Sequence, residues 1–151
     1  MLPSSTQIPF GKGLYARSVL IDTGAFIALA DTRDKFHKEA VDCVGLIAKN
    51  HLPLFITVPT IYETQRRIIH NLGLNASRKF LDSIYDGSHN IVRTVEEDDI
   101  NAKNLIEKYA SLDLTLTDSV NMVIMLKVGI AKVFSFDRHF LLAGFIRIPP
   151  F

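Results

Sequence analysis

Ser18-Val19-Leu20-Ile21-Asp22-Thr23-Gly24-Ala25-Phe26-Ile27-Ala28-Leu29 is the stretch whose reading decides the fold. Val19, Leu20 and Ile21 are consecutive large apolar residues, which suits a short strand buried on both faces, as in a parallel sheet. The period then changes. Phe26, Ile27 and Ala30 fall on one helical face, and the Thr23 hydroxyl can cap the helix that carries them. Asp22 therefore stands at the carboxyl end of a strand and beside a helix start, where open α/β sheets place their ligands. The plainer reading of the same carboxylate is a helix cap and nothing more.

Outward from this stretch the elements alternate. A polar break at Asp31-Thr32-Arg33-Asp34 precedes helical spacing from His37 to Lys49, through Ala40, Val41, Val44, Ile47 and Ala48. Leu54 to Val58 reads as a second strand closed by Pro59. Thr60-Ile61-Tyr62-Glu63 has the pattern of a capping box opening a helix that runs to Gly73. A further helix is expected from Asn75 to about Tyr85, then a weaker strand from Ile91 to Val95. The acids Glu96, Glu97, Asp98 and Asp99 open a helix through Tyr109, where they favour its dipole. Leu114-Thr115-Leu116-Thr117-Asp118 leads, as a strand or a helix approach, into a helix from Ser119 to Val128 that Gly129 stops. Val133-Phe134-Ser135-Phe136-Asp137 again closes an apolar run on an acid, and Ile146 and Ile148 suit a last edge strand. Strands alternating with helices predict an α/β fold, a mostly parallel sheet with helices on both faces.

At 151 residues, 48% hydrophobic and 22% charged, the composition is that of one ordinary globular domain. We place that domain at 18–151. The preceding arm, 1–17, carries Pro3, Ser4, Ser5, Pro9, Gly11 and Gly13 and is expected to be flexible. It lacks the continuous apolar core of a signal peptide. The apolar region from Val120 to Phe134 is broken by Asn121, Lys127 and Lys132, so no membrane span is expected. A soluble, cytoplasmic protein follows. A net charge of +1 gives no general attraction to nucleic acid or anionic lipid, and any such contact must come from a local patch. Cys43 is the single cysteine, which excludes an internal disulfide and reads as a buried thiol in a reducing compartment.

The chemistry lies in one arrangement used three times. Asp22, Asp118 and Asp137 each follow an apolar run, so a sheet can deliver their carboxylates to one edge, and Glu63 opens a helix after another strand and can join them. Among sixteen acidic residues a quartet alone means little; placement after apolar runs is what singles these out. Two like charges about 4 Å apart repel by about 4 kcal/mol at an effective dielectric of about 20, so such a group calls for protons or a cation. Oxygen ligands suit Mg²⁺ or Mn²⁺ rather than zinc. Such an ion polarises a phosphate and lowers the pKa of bound water, the requirements of phosphodiester hydrolysis. Local alternatives exist at each position: the Thr60 capping box for Glu63, a helix-start acid for Asp118, pairing with Arg138 or a turn cap for Asp137.

Taken together, the stretch from Val19 to Leu29, the following Asp34 and His37, Thr60 to Glu63, Leu114 to Asp118, and Phe134-Ser135-Phe136-Asp137-Arg138-His139-Phe140 resemble a PIN domain, most of all the VapC-type ribonuclease toxins. The motifs follow in order from about Ser18 to Ile148. The resemblance implies a three-layer α/β/α sandwich with a parallel sheet and Mg²⁺- or Mn²⁺-dependent cleavage of RNA. By position, Asp22, Glu63, Asp118 and Asp137 are the acidic pocket, with Asp22 and Asp118 first choices as metal ligands. Glu63 and Asp137 then hold a second ion or orient the attacking water. Thr117, and Thr23 beside Asp22, are the supporting hydroxyls. It further implies a homodimer and a small protein antitoxin whose peptide enters the pocket. Ser119 stands where the family often has alanine, and the arm is longer than in the compact toxins.

Arg66 and Arg67 share a helical side with Glu63 and, with Arg138 beside Asp137, are the candidate RNA contacts; Arg33, Lys35 and Lys38 form a second basic patch. Two other readings compete. Leu20-Ile21-Asp22-Thr23-Gly24-Ala25 also resembles the loop of retroviral-type aspartic proteases, but those are almost wholly β, against the helical periods here. A PIN-like fold can also serve as a catalytically inactive RNA-binding or scaffold module. All four acids are present, which favours the enzyme.

Overall fold

Val19–Ile21 forms the middle strand, β1, and all three of its residues are buried. The computed structural model describes residues 14–150. Around β1 lie β2 (Leu54–Thr57), β3 (Asn90–Val92), β4 (Lys132–Phe134) and β5 (Ile146–Ile148). They form a five-stranded sheet in the order β3-β2-β1-β4-β5, with every neighbouring pair parallel. This excludes the almost wholly β architecture of the retroviral-type protease.

Alternation along the strands divides the core in two. Leu20, Phe55 and Val133 face one cluster with α6 (Glu96–Lys108), α7 (Leu116–Val128) and Phe140 of α8 (Arg138–Leu142). Val19, Ile21, Ile56 and Phe134 face the other, with α2 (Thr23–Ala30), α3 (His37–Lys49), α4 (Val58–Leu72) and α5 (Leu74–Tyr85). The result is the three-layer α/β/α sandwich expected, with Cys43 buried in the second cluster, where burial pushes its thiol up to about 11. Gly129 ends α7 at φ 82°, a left-handed turn that glycine adopts without steric cost. None of the described helices is long and apolar enough to cross a membrane.

The chain runs β1, β2, β3 toward one edge and then returns to place β4 and β5 on the other side of β1. Its direction thus switches between β1 and β4, and the crevice at the carboxyl ends of those strands is where ligands collect in such sheets.

Several local expectations are corrected. The helix after β2 begins at Val58 with Pro59 in its first turn, a place where proline costs no hydrogen bond. Thr60 is therefore inside the helix and forms no capping box with Glu63. Thr23 is the first residue of α2 rather than its cap, Asp22 holding the cap position without a side-chain cap bond. The segment 114–118 forms no strand; α7 starts at Leu116. β3 stops at Val92, ahead of the expected Val95. Residues 1–13 of the expected flexible arm lie outside the described residues, while Leu14–Arg17 forms a helical turn, α1, whose Tyr15 ring lies 5.8 Å from that of Phe55.

Candidate active site

The switch crevice opens into a cleft of about 370 Å³ whose wall carries Asp22, Glu63, Asp118 and Asp137. The four acids arrive from different directions: Asp22 from the end of β1, Glu63 from the second turn of α4, Asp118 from the first turn of α7, Asp137 from the cap of α8. Asp34 joins them in the wall, against the cations Lys35 and Arg67. Carboxylates therefore outnumber cations, and the repulsion is expressed in the protonation of the site.

Asp22 is buried, and its carboxyl is pushed up to about 7, first by loss of solvent and then by the charges of Asp118 and Asp137. The Ser135 hydroxyl, which donates to Asp22 Oδ2 at 3.0 Å, and the Thr23 backbone N–H pull in the opposite direction. Asp118 is also raised, by burial and by Asp137 and Glu63. Its local partner is Thr115: the Thr115 N–H donates to Asp118 Oδ2 at 3.3 Å, and the Thr115 hydroxyl accepts from the Asp118 N–H at 3.1 Å. That reciprocal capping box starts α7 and aims the carboxylate into the cleft. Asp118 is thus both a helix-start acid and part of the pocket.

Asp137 accepts from the His139 N–H at 2.8 Å, while its own N–H donates to the Ser135 hydroxyl at 3.0 Å. The same turn folds the His139 ring back, so that Nδ1 lies 3.0 Å from one Asp137 carboxylate oxygen and 3.2 Å from the other. Ligand atoms of Asp118, Asp137 and His139 all fall within 4.8 Å of one another. Two carboxylates and an imidazole gathered this closely would hold one divalent ion of the Mg²⁺ or Mn²⁺ class. The donor set fits a divalent cation, and Asp22 and Glu63 complete the wall around that group.

Among the supporting residues, Thr23 lines the cleft and its hydroxyl accepts from that of Thr64 at 3.3 Å. Thr117 is half-buried; Thr115 is the threonine that bonds Asp118 and lines the cleft. Arg67 reaches the wall, and Arg66 continues with His70 and Asn71 along an adjoining groove that shares Glu63. Arg138 is exposed at the start of α8. Of the second basic patch, Arg33 pairs with Asp31 and Lys38 with Asp42, while Lys35 lies over the Phe36 ring in the cleft wall. Asp98, in the acidic cluster 96–99, accepts from the Val95 N–H and pairs with Lys127.

A further polar group is buried within the fold. Asn121 accepts from the Thr57 hydroxyl through Oδ1 and donates through Nδ2 to Thr60 Oγ1 at 2.9 Å, tying α7 to β2 and α4. It sits one turn after Asp118, and its only trace in the sequence is a polar residue interrupting an apolar run. Ser135 carries no role in the sequence reading, and His139 enters there only as a basic residue adjoining Asp137; the signal of both is adjacency to that acid.

A PIN domain family model matches residues 19–146. The fold is similar to that of VapC20 from Mycobacterium tuberculosis, at 20% identity and a TM-score of 0.81, covering 88% of this chain and 100% of that one. It is similar also to VapBC2 from Rickettsia felis, at 14% identity and a TM-score of 0.60 over 85% of this chain and 96% of that one. A third likeness is to FitAcB from Neisseria gonorrhoeae, at 9% identity and a TM-score of 0.62 over 85% and 95%. No curated protein sequence matches the chain significantly.

Proposed function

The chain belongs to the PIN domain family, and from that premise we propose that it is a Mg²⁺- or Mn²⁺-dependent endoribonuclease that hydrolyses RNA phosphodiester bonds, the toxin of a toxin–antitoxin pair. The observation that carries this reading is the convergence of Asp22, Glu63, Asp118 and Asp137, from four separate elements, on one cleft in which the buried Asp22 is pushed up to about 7. Carboxylates assembled at such a cost to their own ionisation are a standing demand for a divalent ion.

Asp118 and Asp137 would hold the ion, and Asp22, in the same cleft wall, would join them in its charged form. A bound Mg²⁺ or Mn²⁺ supplies Lewis acidity toward the scissile phosphate and an activated water. Glu63, on α4 at the cleft wall, would orient the attacking water or help to hold a second ion. Arg67 meets the phosphate beside the cleft, Arg66 carries the strand onward along α4, and Arg138 contacts it from the α8 side. Thr23 and Thr115 keep the carboxylates aimed, with Thr117 next to them.

The neighbours support the substrate class and the partner. VapC20 is a toxin that cleaves the sarcin–ricin loop, and VapBC2 has been crystallised bound to a DNA fragment from its promoter. By likeness to them we assign RNA as substrate, a small protein antitoxin as inhibitor, a homodimer as the working form and the cytoplasm as its place.

The test is incubation of purified protein with RNA in Mg²⁺ or Mn²⁺. Cleavage should vanish with a chelator and in Asp22→Asn and Asp118→Asn. Equal cleavage by wild type and variants would trace the activity to a contaminant and overturn the assignment. RNA binding without cleavage in either metal would support the inactive module instead.

A further inference from the structure

Two acids of the cleft wall, Asp118 and Asp137, form a close donor group with His139, so that group is not made of oxygen alone. We propose that His139 is itself a metal ligand, its Nδ1 joining Asp118 and Asp137 around one ion, and that this nitrogen makes the pocket select a first-row transition ion over Mg²⁺. The inference rests on the metal-pocket reading above.

Three observations carry it. His139 Nδ1 stands 3.0 Å from an Asp137 carboxylate oxygen, and one ring nitrogen of His139, one Asp137 oxygen and one Asp118 oxygen lie within 4.8 Å of one another. Two cis ligands on an octahedral ion with bonds of ~2.1 Å are separated by roughly 3 Å, so the Asp137–His139 pair already has the spacing of a chelate. The ring is held there by the backbone: the His139 N–H donates to Asp137 Oδ1 at 2.8 Å, and the Asp137 N–H donates to Ser135, so the Asp-Arg-His turn is set before any ion arrives. Asp22, Asp34 and Glu63 share the cleft wall with Asp118 and Asp137 against two cations, Lys35 and Arg67, and that excess of carboxylate favours a cation over a simple hydrogen bond between ring and carboxylate.

Chemistry then decides the selectivity. Mg²⁺ is hard, retains its waters and is satisfied by carboxylate oxygen, whereas imidazole nitrogen is a borderline donor that strengthens binding of first-row transition ions. A pocket of oxygens alone gives Mn²⁺ little advantage. One nitrogen in the set gives it a measurable one. The opposing arrangement has His139 only hydrogen-bonded to Asp137 as an orienting group, outside the coordination sphere.

The experiment uses the full chain stripped by chelator and titrated with Mn²⁺ under electron paramagnetic resonance, with Mg²⁺ as competitor. Bound Mn²⁺ is expected to show hyperfine coupling to a directly bound nitrogen, which changes when the histidines are isotopically labelled. His139→Asn, whose side-chain amide can still donate to Asp137, is expected to lose the coupling, to bind Mn²⁺ about tenfold or more weakly and to leave Mg²⁺ affinity nearly unchanged. Bound Mn²⁺ without histidine coupling in the wild-type protein overturns the proposal and leaves the nuclease reading standing. So does a variant that keeps the wild-type preference of Mn²⁺ over Mg²⁺. Absence of Mn²⁺ binding, or binding untouched by Asp118→Asn, overturns both. The isotope comparison needs no variant, so the outcome does not depend on His139→Asn folding.

Discussion

The Ser135 hydroxyl donates a 3.0 Å hydrogen bond to Asp22 Oδ2 across 113 residues of chain. The two residues follow adjacent parallel strands, β4 and β1, so the bond is a direct product of the sheet register that pairs Ile21 with Phe134. Ser135 also accepts from the Asp137 N–H and so holds two of the acids in place at once.

Replacing that hydroxyl should loosen both. Ser135→Ala removes a bond to the charged form of Asp22, worth about 1.5–3 kcal/mol for hydrogen bonds to charged groups, and the Asp22 carboxyl should titrate above its present position. Carboxyl-carbon NMR titration of the metal-free protein checks this. An unchanged Asp22 titration would show that the hydroxyl contributes nothing to the electrostatics. Mn²⁺ affinity near neutral pH should fall in parallel, because the ion must displace a more firmly held proton.

Asp22 also links stability to pH in a direction opposite to that of most aspartates. Its carboxyl moves from 3.8 to about 7 on folding, so between those values the folded chain holds a proton that the unfolded chain has released. Metal-free protein should therefore lose stability as the pH rises from about 4 through 7, by as much as about 4 kcal/mol from a gap of roughly three pKa units. Asp118, raised as well, adds to the same trend. Denaturant unfolding across that range in the presence of chelator measures it. Asp22→Asn should flatten the profile and be the more stable protein on its alkaline side; an equally steep profile in the variant would refute the account.

Thr115 and Thr117 separate the two threonine assignments. Thr115→Ala removes the hydroxyl half of the capping box of α7, leaving its backbone N–H on Asp118, and should cost about 1 kcal/mol in stability together with part of the metal affinity that depends on the aim of Asp118. Thr117→Ala should stay within about 0.5 kcal/mol of wild type, as expected of a position apart from such features. Chemical denaturation and Mn²⁺ titration of the pair give the answer, and the reverse ranking would return the supporting role to Thr117.

Asn121 is the test of whether the buried polar group joining α7 to β2 and α4 matters to the acids of the cleft. Asn121→Leu leaves the buried Thr57 and Thr60 hydroxyls without their shared partner and should destabilise by about 1–3 kcal/mol. Because the bonds join α7 to β2 and α4, the separation of Asp118 and Glu63 should loosen too, lowering metal affinity beyond the loss of stability. A variant that is less stable yet binds Mn²⁺ normally would confine Asn121 to packing.

What was legible in the chain follows periodicity over a few residues. The run Val19-Leu20-Ile21, ending in Asp22 and passing directly into helical spacing, announces a buried parallel strand with an acid at its carboxyl end, and that is where Asp22 stands. Asp118 and Asp137 could be singled out by the same logic. The local signal misled where two patterns overlapped: Thr60 and Glu63 have capping-box spacing, yet Pro59 fits the first turn and the helix begins two residues earlier.

By itself, then, the sequence determined the α/β/α architecture and the acids delivered to one sheet edge, because hydrophobic period and helix-start chemistry act between near neighbours along the chain. Only the tertiary structure decided how those acids are held. Ser135 meets Asp22 and Asn121 meets Thr60 because β1 lies between β2 and β4 and α7 packs on α4. The ring of His139 returns to Asp137 only through the geometry of its own turn. Partners so far apart in sequence leave no local pattern, and the burial that raises Asp22 exists only once the layers close over it.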